Sequence, residues 1–265
     1  MRTCLLLLPL CLSLAATPAA ARAIHAVQDD AAPIADKRPE VAELIAKLEA
    51  DVAKNTPAGD TDAVADIDQL LIQFPKCGPK DRASITKALS KCFDAKRREG
   101  EGGVPNNKMH IAAAHVLGMM GPESVKPLIG WIGHKDFKKD VAVQRELILA
   151  LGKTREKEGI KPLTGMLQNK DATLVSASAA ALGSYSTSDV AIRKEVFEDL
   201  LKVLMSAKGQ VDGDVNDTIA RERYDIIKAS IMTSLGQLSG HSEQEPEEFQ
   251  RWWNKNKKAD WAAAQ

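Results

Sequence analysis

The chain has 265 residues, 36 basic and 36 acidic, and only 4% of them are aromatic. A charge balance of this kind excludes an electrostatic grip on nucleic acid, because duplex affinity is dominated by phosphates neutralised with Lys and Arg. The scarcity of aromatics fits a core of stacked helices rich in Ala and Leu.

Taken in chain order, Met1 to Ala23 reads as an export signal. Arg2 supplies the positive end, Leu5 to Ala16 the apolar core, and Ala21-Arg22-Ala23 the small-x-small cleavage site, with Ala19-Ala20-Ala21 as a second choice. The apolar core is too short to span a bilayer, and no later stretch is long enough. Cys11 follows the bulky Leu10, which argues against lipidation. The expectation is an exported protein, periplasmic or extracellular, without a transmembrane segment. Removing these 23 residues leaves 242, with 34 basic against 36 acidic, enough chain to bury a continuous core in a repeat array. Residues 24–36, with paired acids and alanines, read as a disordered lead-in.

Pro39 opens a helix in which Val41, Leu44, Ile45, Leu48 and Val52 form an amphipathic stripe that must be covered, so this helix is expected to be an N-terminal cap on the helices after it. Thr56 to Thr61 is expected as a turn. A helical hairpin comes next, with Val64, Ile67, Leu71 and Phe74 on its first helix and Ile85, Ala88, Leu89 and Cys92 on its second. Glu99 to Asn107 reads as a flexible link.

From Met109 the sequence repeats itself. The stretch Met109 to Asp136 returns after Asp140, each copy carrying a Leu-Gly pair, then Lys-Pro-Leu, then an apolar run ending in Lys-Asp. The pair Leu117-Gly118 recurs as Leu151-Gly152, Leu182-Gly183 and, more weakly, Leu235-Gly236. Within the first copy Ile111, Ala114, His115 and Leu117 mark one helix, the Gly is expected to break it, and Val125, Leu128, Ile129 and Ile132 mark a second. Pro127 and Pro162 fall early in second helices, where a missing amide donor costs little. One hairpin cannot bury its own apolar face, so the prediction is an all-α fold: an α-solenoid of about five stacked helical hairpins over 37–258, with a tail at 259–265. A polar insertion, Ser206 to Arg221, would account for the wide last interval.

The small-residue runs ending in Leu-Gly (AAAHVLG, LILALG, SAAALG), each followed by a Val/Ile-x-x-Leu stripe, resemble HEAT repeats, in particular the short bacterial form also seen in bilin lyases. The resemblance covers roughly residues 60–258 and rests on folding signals rather than on chemistry. It implies a concave surface lined by second helices, hence a non-catalytic scaffold for a protein partner. The alternative it raises is an enzyme or enzyme accessory akin to the bilin-lyase proteins.

Aligned on their stripes, the second helices place Ile85, Val125, Ile160, Phe197 and Phe249 in equivalent core positions, and Trp252 and Trp253 in the core of a last hairpin. One step off the core run Lys91, Trp131, Met166, Val203 and Lys255. Lys126, Trp131, Lys161 and Met166 are therefore the candidate partner-binding patch, since Trp anchors interfaces and Met adapts to them.

No catalytic, cofactor or metal constellation stands out. Cys77 and Cys92, separated by a helix from about Lys80, lie too far apart for a disulfide. His25, His110, His115, His134 and His241 have no ligand spacing and read as surface or partly packed. HEAT-type deoxyhypusine hydroxylases carry His-Glu dyads before Leu-Gly as iron ligands; here the corresponding pairs are Ile111-Ala112, Arg145-Glu146, Ser176-Ala177 and Ala229-Ser230, and only Glu146 matches, which counts against a di-iron enzyme. Asp212 to Asp217 begins like a calcium loop, yet position six is Asp217 and position twelve Arg223, so no EF-hand is expected.

Overall fold

The computed structural model describes residues 35–97 and 106–261. The expected export signal, all of the lead-in before Ala35 and most of the 99–107 link lie outside the described residues. Every regular element among them is helical. Helix α1 (Pro39–Ala53) precedes five hairpins: α2 (Pro57–Gln73) with α3 (Pro79–Lys91), α4 (Lys108–Leu117) with α5 (Val125–Trp131), α6 (Val141–Thr154) with α7 (Ile160–Met166), α8 (Ala172–Gly183) with α9 (Val190–Gly213), and α10 (Thr218–Ser239) with α11 (Pro246–Asn256). The first helices α2, α4, α6, α8 and α10 pack in succession into one layer, and α1 covers α2 and α3 as the stripe required. One continuous core results, running from Val41 to Trp261.

The Leu-Gly pairs hold this layer together. As expected, α4 ends at Leu117 with Gly118 as its C-cap, and α8 ends on Gly183, but helix ending is not their general role. Gly152 lies within α6 and Gly236 within α10, and both helices run on past them. What the glycines supply is close approach. A Cβ on Gly118 would sit 2.7 Å from the Ala150 Cα, one on Gly152 2.6 Å from the Ala181 Cα, and one on Gly183 2.7 Å from the Ser234 Oγ. Gly118 and Gly152 thus each receive an alanine of the next first helix, while Gly183 receives Ser234 together with the end of the Gln237 side chain. The leucine beside it, Leu117, Leu151 or Leu182, is fully buried. Serines stitch the α8–α10 contact further: Ser234 donates to the Ala179 carbonyl at 2.8 Å, and the Ser176 and Ser230 hydroxyls meet at 2.6 Å.

Helix starts follow their sequence signals, with one correction. Pro occupies the first turn of α1, α2, α3 and α11. The expected turn at Thr56–Thr61 is helix from Pro57 onward, because the Thr56 hydroxyl caps Gly59 N and proline is well placed in a first turn. Asp140, Asp171 and Asp217 cap α6, α8 and α10. Two caps cross between elements: Asp36 accepts from the amides of Lys80 and Asp81 at the start of α3, while Asp81 accepts from Lys37 and Arg38 at the start of α1. The end of the lead-in, Ala35 and Asp36, is therefore tied to the fold. Ala35 also accepts a hydrogen bond from Gly78 N.

Three further expectations change. His115 does not share the buried stripe of α4; flanked by α2 and α6, that helix buries Met109, His110, Ala113, Ala114, Val116 and Leu117 and leaves His115 exposed. The Ser206–Arg221 insertion is mostly helix, since α9 continues to Gly213 and α10 starts at Thr218. Two lengthened helices, not a loop, thus account for the 53 residues between Gly183 and Gly236. The acids at their junction are used locally: Asp212 pairs with Lys208 at 2.7 Å, Asp214 accepts from Asn216 N, and Asp217 caps α10. Packing also extends into the expected tail, where Trp261 is only 3% exposed and donates to the Asn256 carbonyl at 3.1 Å. Trp253 is buried and Trp252 half-buried, and with Phe249 and Trp261 they surround Phe197 at centroid distances of 5.1 to 6.0 Å.

Cys77 and Cys92 are both buried and free, as the helix between them requires.

This packing is testable at two points. In an open helix, Gly to Ala stabilises by up to about 1 kcal/mol, and Gly209→Ala on exposed α9, with open space around it, should behave so in urea denaturation. Gly152→Ala should do the reverse and destabilise by about 1–3 kcal/mol, because its methyl would strike the backbone of α8; equal effects at both sites would remove the glycine seam from the account. Trp253→Ala should destabilise by about 3–5 kcal/mol, with native tryptophan emission blue-shifted before the substitution; a water-like emission would place the C-terminal tryptophans outside the core.

Candidate functional site

Trp131 ends α5, and its contacts turn inward. Its indole Nε1 donates to the Ser90 Oγ of α3 at 3.0 Å, and its carbonyl accepts from the buried Gln144 Nε2 at 3.1 Å. The Gln144 Oε1 in turn accepts from Gly133 N at 2.7 Å, so one α6 side chain fixes the turn that ends the hairpin. The ring lies 4.6 Å from His134, 5.3 Å from Phe93 and 6.0 Å from Phe137. Of the proposed patch, then, Trp131 is half-buried packing between successive hairpins. Met166 is also half-buried, while Lys126 and Lys161 are exposed. Among the described residues no hydrogen bond, ion pair or ring contact joins any two of these four.

The aromatic cluster forms the wall of a cavity that sequence reasoning missed. Phe93 follows α3, Phe137 lies in the turn before α6, and His110 projects from the first turn of α4; their rings lie 4.9 to 5.8 Å apart. Beside them opens a cavity of about 440 Å³, lined also by Lys96, Arg97, Asn106, Asn107, Lys135, Asp136 and Asp140. The hint available in sequence was positional: in a chain with five Phe, two come just after the second helix of consecutive hairpins.

His110 is 2% exposed. Its Nε2 lies 3.0 Å from the Ala95 carbonyl, which can only accept, so Nε2 carries the proton and the neutral ring leaves Nδ1 as a bare acceptor. Burial pushes this imidazole below its ordinary range, and the neighbouring Arg97 acts in the same direction against the Ala95 hydrogen bond. Nδ1 is buried and has no hydrogen-bond partner. Arg97 is itself committed: Nε and Nη2 reach Asp60 at 2.8 and 2.7 Å in a pair that is almost wholly buried. Asn106 donates to the other Asp60 oxygen at 2.6 Å, so one α2 carboxylate holds both flanks of residues 98–105.

The remaining reactive groups are poorly placed for chemistry. Burial pushes the Cys92 thiol up to about 12 and raises Cys77 as well, which leaves both as unreactive thiols at neutral pH. Tyr185, also pushed to about 12 by burial, donates to the Glu156 carbonyl at 2.9 Å. His115 meets Glu146 at 3.0 Å on the exposed side of α4. Among the described residues no group of three or more His, Cys, Asp or Glu is placed to hold a metal ion.

Residues 104–183 match the family model for HEAT repeats, and no curated protein matches the chain. The matched segment spans α4 to α8, the stretch in which Gly118 and Gly152 seat against the next helix. The central part of this chain is therefore built of HEAT repeats.

Proposed function

We propose that the protein is an exported, non-catalytic scaffold whose stacked hairpins present an extended surface to a protein partner. The observation that carries this reading is the run of HEAT repeats at 104–183, an architecture whose members commonly mediate protein–protein interaction. Export rests on the apolar run from Leu5 and the small-x-small site before Ile24. No helix among the described residues is long and apolar enough to cross a membrane.

Within the second-helix face, the inward commitment of Trp131 shifts partner contact toward the exposed Lys126 and Lys161 and the accessible edge of Met166. Reversing Lys126 and Lys161 to Glu should cut the yield of crosslinked partner from the envelope fraction while leaving the melting temperature within a few degrees, because exposed charges contribute little to folding. An unchanged partner set would move the binding surface off this face. Trp131→Ala should instead destabilise by about 3 kcal/mol, the low end for truncating a packed Trp, since it removes the Ser90 hydrogen bond and three ring contacts. N-terminal sequencing of the protein recovered from cells should begin at Ile24 or Arg22; an intact Met1 in soluble cytoplasm would contradict export.

A further inference from the structure

The turn that joins α9 to α10 holds a side chain with nothing to do in the fold. Of the seven asparagines in the sequence, Asn216 alone has Ser or Thr two positions on, and the run Asn216-Asp217-Thr218 has no proline at its centre. This is the acceptor pattern for N-linked glycosylation, a modification of surface asparagines in exported proteins. Seven asparagines of average surroundings meet the pattern about once by chance, and it is the setting of Asn216 that lifts this one above chance.

Asn216 lies in the turn between Asp214 and Asp217, and residues 212–219 are all exposed. Asp214 accepts from the Asn216 main-chain amide at 2.9 Å, Asp217 N donates to the Asp214 carbonyl at 3.1 Å, and Arg221 donates to the Val215 carbonyl. These bonds hold the backbone of the turn and leave the Asn216 carboxamide out, since among the described residues Asn216 bonds only through its main chain. Thr218, the first residue of α10, is exposed as well. To be drawn out as an extended acceptor, Asn216 to Thr218 have only the Asp217 cap to release, and helix ends open locally at little cost in free energy. The same tip is apolar where water should meet polar groups. Of the five large apolar residues exposed among the described residues, Val215, Ile219 and Ile226 fall within ten positions of Asn216, the first two exposed at 67% and 79%. A sugar joined to Asn216 comes within reach of Val215 and Ile219, and the C–H face of its ring would cover aliphatic surface that is otherwise left in water.

We propose that Asn216 is the acceptor of an N-linked glycan. The donor class is an oligosaccharide joined through its anomeric carbon to a polyprenyl diphosphate. The Asn216 Nδ2 attacks that carbon, a C–N bond forms as the C–O bond to the diphosphate breaks, polyprenyl diphosphate leaves, and one Nδ2 proton passes to a base of the transferase. The inference rests on the export proposed above, because such transfer takes place outside the cytoplasm. Asp214, two positions before Asn216, supplies the acid that one class of transferase requires there in addition.

Mass spectrometry of the protein recovered from the cells that make it tests this, since one measurement reads both the N-terminus and Asn216. The peptide carrying Asn216 should be heavier by about 200 Da or more, at least one acetylated hexosamine. Asn216→Gln and Thr218→Val should lose the whole gain, whereas Thr218→Ser, which keeps the hydroxyl, should retain it. The melting temperature of the Asn216→Gln protein should match that of the unaltered chain after enzymatic removal of the glycan, because the carboxamide bonds to nothing. With the gain in place, Asp214→Asn, which keeps an acceptor for the Asn216 amide, assigns the transferase: loss points to the class that reads the acid, retention to the class that reads Asn-x-Thr alone. An Asn216 peptide without added mass in a chain that begins at Ile24 or Arg22 would overturn the proposal and leave export standing. The same peptide in a chain that keeps Met1 would overturn both, and a gain that survives Asn216→Gln would move the modification elsewhere and overturn the assignment.

Discussion

The structure depends on the closeness with which one first helix can approach the next. Where Gly118 meets Ala150 and Gly152 meets Ala181, the space for a single methyl group is already taken by backbone of the neighbouring helix. Dispersion falls off steeply with distance, so this approach lets long apolar side chains on both sides interlock without voids. Leu117, Leu147, Leu151, Val175 and Leu182 are all fully buried or nearly so as a consequence. The short second helices α5 and α7, seven residues each, are too brief to be stable alone and take their positions from this layer.

Polar groups finish what packing begins, chiefly at the ends of helices. Asp36 and Asp81 exchange caps between α1 and α3, and Asp60 anchors Arg97 and Asn106 to α2. Where α1 meets α2, Asp51 and the buried Asp66 are neutralised by Lys47 and Lys54; burial still raises Asp66, while Lys54 first and then Asp66 lower Asp51. Each of these acids is held by a partner that would be left with an uncompensated charge or amide if the acid were removed. Asp66 and His110 share one further feature: in each, one polar atom is satisfied and the other, Oδ2 or Nδ1, is buried without a hydrogen-bond partner.

Much of the fold was legible because it is written in period and punctuation. The α1 stripe, the Pro-opened helices and the returning Leu-Gly pairs specify elements through local chemistry that tertiary context reinforces. The errors came where one residue type serves two ends. Gly after Leu does end α4 and α8, but Gly152 and Gly236 lie inside helices that continue, and at Gly118 and Gly152 the glycine is also a contact surface for Ala150 and Ala181. The polar run from Ser206 looks like loop because α9 and α10 project beyond their neighbours' ends and have little to bury there, with Val215 and Ile219 exposed at 67% and 79%. The candidate site was least legible. Trp131 sits at a register suited to an exposed edge, but Ser90, 41 residues away, draws it inward. The His110 cavity is assembled from three separate turns, none of which carries a motif.

The central claim is that the first-helix layer, seated through its glycines, is the cooperative unit on which the second helices rest. Native-state amide exchange measures this directly. The amides around Gly118, Gly152 and Gly183 should exchange together through the slowest, global opening, with α5 and α7 released earlier through local openings. Protection of α5 and α7 equal to that of α6 and α8, or first helices that open one hairpin at a time, would contradict it.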